Sequence, residues 1–177
     1  MREVATSEVI REFMRRLGRR APRPLSVFFT GGASAVITGW RDATIDIDLR
    51  LDGDDDDVLR EMVRLKAELN VNVELASPSD FIPAPPGWRE RSRFIGQDGN
   101  LAFFHYDFYG QALSKIERGH DTDKIDVNQM LKRGLIEPNL LLDLYGRIEP
   151  ELFRYPAIDA WEFRAEVERV VAQYLAG

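Results

Sequence analysis

The sequence of 177 residues contains no cysteine and only two histidines. Without cysteine the chain has no disulfide, no thiolate metal ligand and no cysteine nucleophile, and its composition fits a cytoplasmic protein. His105 and His120 are too few for a histidine metal site, and His105, flanked by aromatic residues, is expected to be packed or hydrogen-bonded rather than catalytic. No G-x-S-x-G segment is present, so serine hydrolase chemistry has no support.

Long apolar runs and an excess of positive charge are also missing. No apolar run approaches the roughly 20 residues that span a bilayer, and the first residues lack the apolar core of a secretory signal, so we expect no membrane partner. The formal net charge is −6, which does not favour nucleic acid over the surface as a whole. Six arginines between Arg11 and Arg23 are a local exception. They indicate either a solvated helix face or a phosphate-facing patch.

Hydrophobic periodicity predicts an α+β fold: a mixed sheet of about five strands flanked by helices, with a helical C-terminal third. We expect one domain over 1–177, in which 1–110 form the sheet-containing core and 111–177 the helical part. Asp98-Gly99 predicts the two-residue turn of a hairpin. The predicted strands are 25–29, 44–51, 71–75, one near Ile95 and 101–108; the predicted helices are 7–17, 33–40, about 54–69, 111–118, 122–132, 138–146 and 157–174.

Two aspartates, Asp46 and Asp48, lie two residues apart on the predicted strand 44–51. Side chains two apart on a strand point to the same face, so the two carboxylates project side by side. Their repulsion is relieved by a divalent cation, and hard oxygen ligands suit Mg²⁺, with Mn²⁺ as an alternative. The other interpretation is a solvent-facing strand with two acids that bind nothing.

Gly31-Gly32 stands between a predicted buried strand and a predicted helix. Glycines let the backbone approach a phosphate closely, and the first N–H groups of a helix attract an anion. Ser34, in the first turn, can add a hydroxyl donor. A turn that needs glycine only for its backbone geometry is the alternative.

Taken together, these segments resemble the DNA polymerase beta-like nucleotidyltransferase superfamily. Its signature is a hydrophobic residue, Gly, Gly or Ser, a spacer, and then Asp, hydrophobic, Asp or Glu, hydrophobic. Here Gly31-Gly32 is followed by 33–45 and by Asp46-Ile47-Asp48-Leu49. The resemblance implies that Asp46 and Asp48 bind the catalytic metal, and that Gly31 and Gly32 hold a nucleoside triphosphate.

The superfamily normally uses a third carboxylate on the strand beside the D-x-D strand. Glu74 is the only acid on the next predicted strand, and we therefore expect it to complete the catalytic and metal-binding set. Asp107, in His105-Tyr106-Asp107, is the second choice.

A further segment, from Lys115 through Arg118 to Asp123 and Asp126, resembles the K-x-x-R…D-x-x-D segment of abortive-infection and minimal-nucleotidyltransferase toxin–antitoxin proteins. Arg41-x-x-Thr44-x-Asp46 resembles the same proteins. The resemblance implies that Lys115 reaches the triphosphate, a role that suits its compact charge. The aspartates would then orient the cations or bind metal. The alternative is an ion-paired surface helix.

The expected activity is therefore that of an enzyme: a magnesium-dependent nucleotidyltransferase that moves a nucleoside monophosphate from a triphosphate to an acceptor hydroxyl. The second resemblance implies a toxin–antitoxin component whose acceptor is the tRNA 3′ end or a side chain of a cognate protein. An antibiotic is a third acceptor class. The alternative function is a catalytically weak module with the same fold that binds a partner protein.

Overall fold

The computed structural model describes all 177 residues, which divide into two compact units. The first comprises Met1–Ser77 and Ser92–Tyr106, and the second comprises Pro78–Arg91 and Asp107–Gly177. The expected change from sheet to helices near residue 110 therefore falls close to a boundary between the units. The segment 78–91, however, belongs with the helical unit.

The first unit contains a mixed five-stranded sheet, which confirms the predicted α+β class. The elements of this unit are β1 (Ala5–Thr6), α1 (Ser7–Arg20), β2 (Leu25–Phe29), α2 (Gly31–Thr38), β3 (Ala43–Thr44), β4 (Asp46–Leu51), α3 (Asp56–Glu68), β5 (Asn72–Leu75), β6 (Arg93–Asp98) and β7 (Leu101–His105). The strand order of the sheet is β5-β4-β2-β7-β6, in which β2 pairs parallel with β7 and antiparallel with β4, while β4 and β5 are parallel. A separate two-stranded ribbon joins β1 and β3.

One face of this sheet forms the hydrophobic core with α1, α2 and α3. Phe29 and Leu49 are paired across β2 and β4, and both are fully buried, as is Ile47. Because side chains alternate along a strand, the intervening Asp46 and Asp48 project from the opposite face. The alternation predicted over 44–51 is thus confirmed from Asp46 onward, where it places both carboxylates on the face away from the core; Thr44 belongs to β3, and Ile45 is exposed.

Helix α1 buries an apolar stripe and carries five of the six clustered arginines, while Arg23 lies beyond its end. Thr6 caps the helix by accepting a hydrogen bond from the Val9 N–H at 3.4 Å. Most of the arginines pair with nearby acids, which favours the solvated helix face over a phosphate patch. The pairs are Arg15 and Arg16 with Glu12, Arg16 with Glu68, Arg20 with Glu61, and Arg23 with Asp55.

The second unit is helical, as predicted for the C-terminal third. None of the helices is long and apolar enough to cross a lipid bilayer. The α-helices are α4 (Trp88–Arg91), α5 (Phe108–Arg118), α6 (Asp121–Lys132), α7 (Pro138–Ile148) and α8 (Ala160–Ala176), with 3₁₀ turns at Pro78–Asp80 and Glu149–Arg154.

Two local predictions were wrong. The strand expected over 101–108 ends at His105, because Asp107 accepts a hydrogen bond from the Tyr109 N–H and caps α5. The hairpin turn is Gly99-Asn100 rather than Asp98-Gly99, since Asp98 still pairs with Leu101. Gly99 has a φ of +55°, the left-handed conformation that a tight hairpin turn requires.

Candidate active site

Three carboxylates project from one face of the sheet in the first unit. Asp46 and Asp48 on β4 are half-buried, and β5 runs parallel beside β4 with Asp48 opposite Glu74. Register partners on adjacent strands share a face and lie about 5 Å apart. Glu74 is exposed and is therefore open to solvent on the face that carries both aspartates.

An amide that the sequence-based prediction did not include lies among these acids. Asn72, the register partner of Asp46, donates from Nδ2 to Asp46 Oδ1 at 2.6 Å and to Glu74 Oε1 at 2.7 Å. Its spacing of two from Glu74 was visible in the sequence. Its position beside Asp46 depends on the strand register, which local patterns do not show.

The Gly31-Gly32 turn lies next to Asp48. The Thr30 N–H donates to the Asp48 carbonyl at 3.0 Å, which joins the end of β2 to β4. Gly31 has a φ of +54°, and a Cβ built on it would stand 3.2 Å from Asp48 Oδ2. The Asp48 carboxylate therefore lies on the side of Gly31 where a side chain would project. The Thr30 side chain makes no capping bond to the helix.

Gly32 is required for packing rather than for its backbone conformation. A Cβ there would lie 2.0 Å from Thr44 Oγ1. Thr44 in turn donates from that hydroxyl to the Asp46 carbonyl at 3.0 Å. The Arg41-x-x-Thr44-x-Asp46 segment thus contributes a contact that brings α2 against the start of β4, and Gly32 is the residue small enough to permit it.

Ser34 lies deeper than a triphosphate contact would suggest. The residue is fully buried, and its hydroxyl lies 2.7 Å from His105 Nδ1. Burial and the positive charge of Arg93 lower the pKa of His105 to about 4, so the ring is neutral at physiological pH. The interpretation of His105 as packed and hydrogen-bonded agrees with this geometry. The triphosphate contact of Ser34 stays a prediction.

The donor set of the sheet face suits a hard divalent cation, since it consists of carboxylates without soft ligands. As the side chains stand, no group of three or more His, Cys, Asp or Glu residues has the spacing to hold a metal ion. The Asn72 amide instead joins two of the acids. The chemistry of the residues therefore fits Mg²⁺, and the carboxylates of Asp46, Asp48 and Glu74 would have to turn toward one another to share it.

A family model described as "Nucleotidyltransferase of unknown function (DUF6036)" matches residues 7–173. The chain belongs to this nucleotidyltransferase family. No curated protein and no solved structure was found to match the chain. The family supports nucleotidyl transfer in general, and it agrees with the resemblance read from the Gly-Gly and D-x-D segments.

Asp107, the second choice for the third carboxylate, has other partners in this family member. It is 1% exposed and accepts hydrogen bonds from Arg91 Nε at 3.1 Å and from Arg91 Nη2 at 2.7 Å, besides capping α5. Burial raises its pKa more than Arg91 and the backbone N–H groups of Tyr109 and Gly110 lower it. The arrangement gives Asp107 a structural role in the second unit.

The K-x-x-R…D-x-x-D segment forms a buried ion network between α5 and α6. Lys115 Nζ lies 2.7 Å from Asp126 and 3.5 Å from Asp123, and Arg118 forms a fork of two bonds, 2.6 and 2.8 Å long, with Asp123. Lys115 and both aspartates are buried. Both aspartates therefore pair with the cations of α5, and a role in orienting these cations toward a nucleotide stays a prediction. The ion pairs expected for a surface helix are present, but the expectation that they lie at the surface was wrong, since Lys115, Asp123 and Asp126 are buried.

Proposed function

We propose that this chain is a magnesium-dependent nucleotidyltransferase that transfers a nucleoside monophosphate from a triphosphate to an acceptor hydroxyl. The observation that carries the proposal is the position of Gly31 beside the acidic face: a Cβ built on this first residue of α2 would stand 3.2 Å from Asp48 Oδ2. A phosphate at this helix terminus would meet backbone N–H groups on one side, and a cation held by Asp48 on the other.

In the proposed reaction the acceptor oxygen attacks the α-phosphorus, the bond to the bridging oxygen breaks, and pyrophosphate leaves. Asp46 and Asp48 would hold Mg²⁺, which when bound neutralises charge on the phosphates. Glu74 would complete the site and accept the proton of the acceptor hydroxyl. The triphosphate would lie against Gly31 and Gly32, and Ser34 and Lys115 are its further proposed contacts. Catalysis would come mainly from positioning and charge neutralisation.

The proposed acceptor is the tRNA 3′ end or a side chain of a cognate protein, with the chain acting as one component of a toxin–antitoxin pair. This part of the proposal rests on the resemblance of the Lys115–Asp126 segment. The net charge of −6 disfavours extended contact with RNA. A protein acceptor needs no such contact.

The test supplies nucleoside triphosphates labelled at the α-phosphate, together with tRNA or a candidate cognate protein. We expect magnesium-dependent label transfer by the wild type and a loss of about a hundred-fold or more for Asp48→Asn and Glu74→Gln. Asp54→Asn, an exposed acid of the same unit, is the matched control and should retain activity.

Calorimetric titration with triphosphates gives a second measurement that does not depend on knowing the acceptor. Nucleotide binding should weaken strongly when magnesium is chelated, because the cation neutralises both the acids and the phosphates. Equal affinity with and without metal, in a folded protein that transfers no label, would contradict the proposal. That result would favour the non-catalytic module that binds a partner protein.

A further inference from the structure

Asn72 lies at the centre of a hydrogen-bonded chain that begins at the N-terminal segment and ends at the acidic face. Arg2 Nη1 donates to Asn72 Oδ1 at 2.6 Å, and Asn72 Nδ2 donates to both Asp46 and Glu74. We propose that Asn72 is a positioning residue: its amide bonds one oxygen of each carboxylate and keeps Asp46 and Glu74 side by side, so that their second oxygens can turn to a divalent cation shared with Asp48. The inference rests on the proposed function, because it assumes that the acids bind metal.

The chemistry of the neighbours fixes the orientation of the Asn72 amide. A guanidinium has only donors, so the amide oxygen must face Arg2. Ionised carboxylates have only acceptors, so the NH₂ group must face Asp46 and Glu74. Every polar atom of the amide is thus used, and exchanging its nitrogen and oxygen would lose all three contacts.

The amide approaches the two acids without cancelling their charge. Neither Asp46 nor Glu74 forms an ion pair with a lysine or arginine. Two N–H dipoles reduce the repulsion between the carboxylates, but both negative charges remain available to a cation. Asn72 also contacts only Oδ1 and Oε1, so each carboxylate keeps its second oxygen for a ligand.

The backbone prevents Asn72 from moving away from this position. It lies in register with Asp46 on the parallel pair β4–β5, and the Glu3 N–H donates to the Asn70 carbonyl at 2.8 Å just before β5. The N-terminal segment therefore runs along the start of β5 and brings Arg2 to the amide. Removing a group that hydrogen-bonds to a metal ligand typically lowers metal affinity by about ten- to a hundred-fold.

The test is calorimetric titration of the full chain with Mn²⁺ alone, together with the unfolding temperature measured without metal. Asn72→Ala removes both donors, and Asn72→Thr keeps one hydroxyl donor on a side chain that suits a strand. We expect Mn²⁺ affinity to fall about ten- to a hundred-fold for Asn72→Ala and by less for Asn72→Thr. Asn139→Ala, at an exposed position on α7, is the matched control and should bind Mn²⁺ like the wild type.

Arg2→Ala separates positioning from a direct effect of charge. Since Arg2 acts through Asn72, its removal should weaken Mn²⁺ binding less than Asn72→Ala. If Arg2→Ala lowers Mn²⁺ affinity more than Asn72→Ala does, Arg2 does not act through Asn72. Asn72→Ala or Asn72→Thr with wild-type Mn²⁺ affinity would overturn the inference, even if the unfolding temperature falls, because that pattern belongs to a purely structural residue.

Failure of the proposed function gives a different result. If the wild type and Asn139→Ala do not bind Mn²⁺ at all, the metal site itself is wrong and the inference falls with it. If they bind Mn²⁺ and the Asn72 variants bind equally well, only the positioning role is wrong. If Asn72→Ala does not fold, Asn72→Thr and Arg2→Ala carry the same comparison.

Discussion

Aspartates occur in two settings in this chain, and the difference separates structure from candidate chemistry. On α6, Asp123 and Asp126 are buried against Lys115 and Arg118, so their charges are cancelled within the network. On the sheet face, Asp46 is half-buried and meets the Asn72 amide rather than a cation. Carboxylates that are already paired have little charge left for a ligand. Those held by a neutral donor retain it.

The pKa of Asp123 shows how an aspartate of the buried ion network stays charged. Burial alone would raise it, but the hydrogen bond from Arg118, the charges of Lys115 and Arg118 and the His120 N–H together outweigh burial and lower it. The carboxylate therefore stays ionised because the buried Lys115 and the exposed Arg118 both pair with it. A buried charge that loses such a partner is expensive.

The same substitution in the two settings gives the largest expected contrast. Asp126→Asn leaves the buried Lys115 ammonium without its closest acid and should lower the free energy of unfolding by about 3–5 kcal/mol. Asp46→Asn keeps an oxygen that can accept from Asn72 and relieves carboxylate repulsion, so metal-free stability should change by less than about 0.5 kcal/mol. Urea unfolding of both variants without metal measures the contrast. Equal losses would remove the distinction between the two regions.

Lys115 tests the buried network from the cationic side. Lys115→Met keeps much of the side-chain volume but leaves Asp126 uncompensated, and a loss of about 3–5 kcal/mol is expected. Lys124→Met breaks an exposed pair with Asp121, 3.6 Å long, and should cost under about 1 kcal/mol. Because Lys115 is buried, its removal should lower the free energy of unfolding more than the removal of an exposed lysine such as Lys124.

Nucleotide titration of the same variant, below its unfolding transition, decides whether Lys115 also reaches a triphosphate. A charge-assisted contact of about 1.5–3 kcal/mol corresponds to roughly a ten- to more than hundred-fold change in Kd. An unchanged Kd would leave Lys115 with the structural role alone.

His105 gives the next largest effect, through pH. Its folded pKa of about 4 lies below the ordinary 6.5, so the unfolded chain binds more protons between these values. The stability contribution is complete above pH 6.5 and is lost as the pH falls toward 4. The difference corresponds to roughly 3 kcal/mol. His105→Gln, which cannot titrate there, should have a flatter stability profile over that range in denaturant unfolding, and parallel profiles would contradict the assignment.

Local patterns were sufficient for the elements that carry the candidate site. The alternation of 44–51 predicted β4 and the common face of Asp46 and Asp48. The two glycines after an apolar run predicted the turn into α2. These features depend on the nearest few residues, which the sequence displays directly.

Features that depend on pairing between distant segments were not predictable in the same way. The position of Asn72 beside Asp46 follows from the register of β5 on β4. The burial of Lys115 follows from the packing of α5 against α6, and a K-x-x-R spacing looks the same on a solvated helix. The hairpin turn shifted by one residue for a related reason, because both Asp98-Gly99 and Gly99-Asn100 satisfy the local rule.

A smaller stability effect than that of His105 is expected at Gly31, which begins α2 beside Asp48. Gly31 begins α2 and Gly39 follows its last residue, and both have positive φ, at +54° and +101°. Alanine at either position should cost about 1–2 kcal/mol, because the left-handed conformation places Cβ against the backbone.

The environments of the two glycines differ: a Cβ at Gly31 would lie 3.2 Å from Asp48 Oδ2, whereas nothing lies within 4 Å of one at Gly39. Gly31→Ala should therefore weaken the binding of a triphosphate with magnesium, and Gly39→Ala should not. Calorimetry on the two variants, matched for unfolding temperature, separates backbone strain from the contact with Asp48, and equal nucleotide affinity in both would remove the glycine turn from the site.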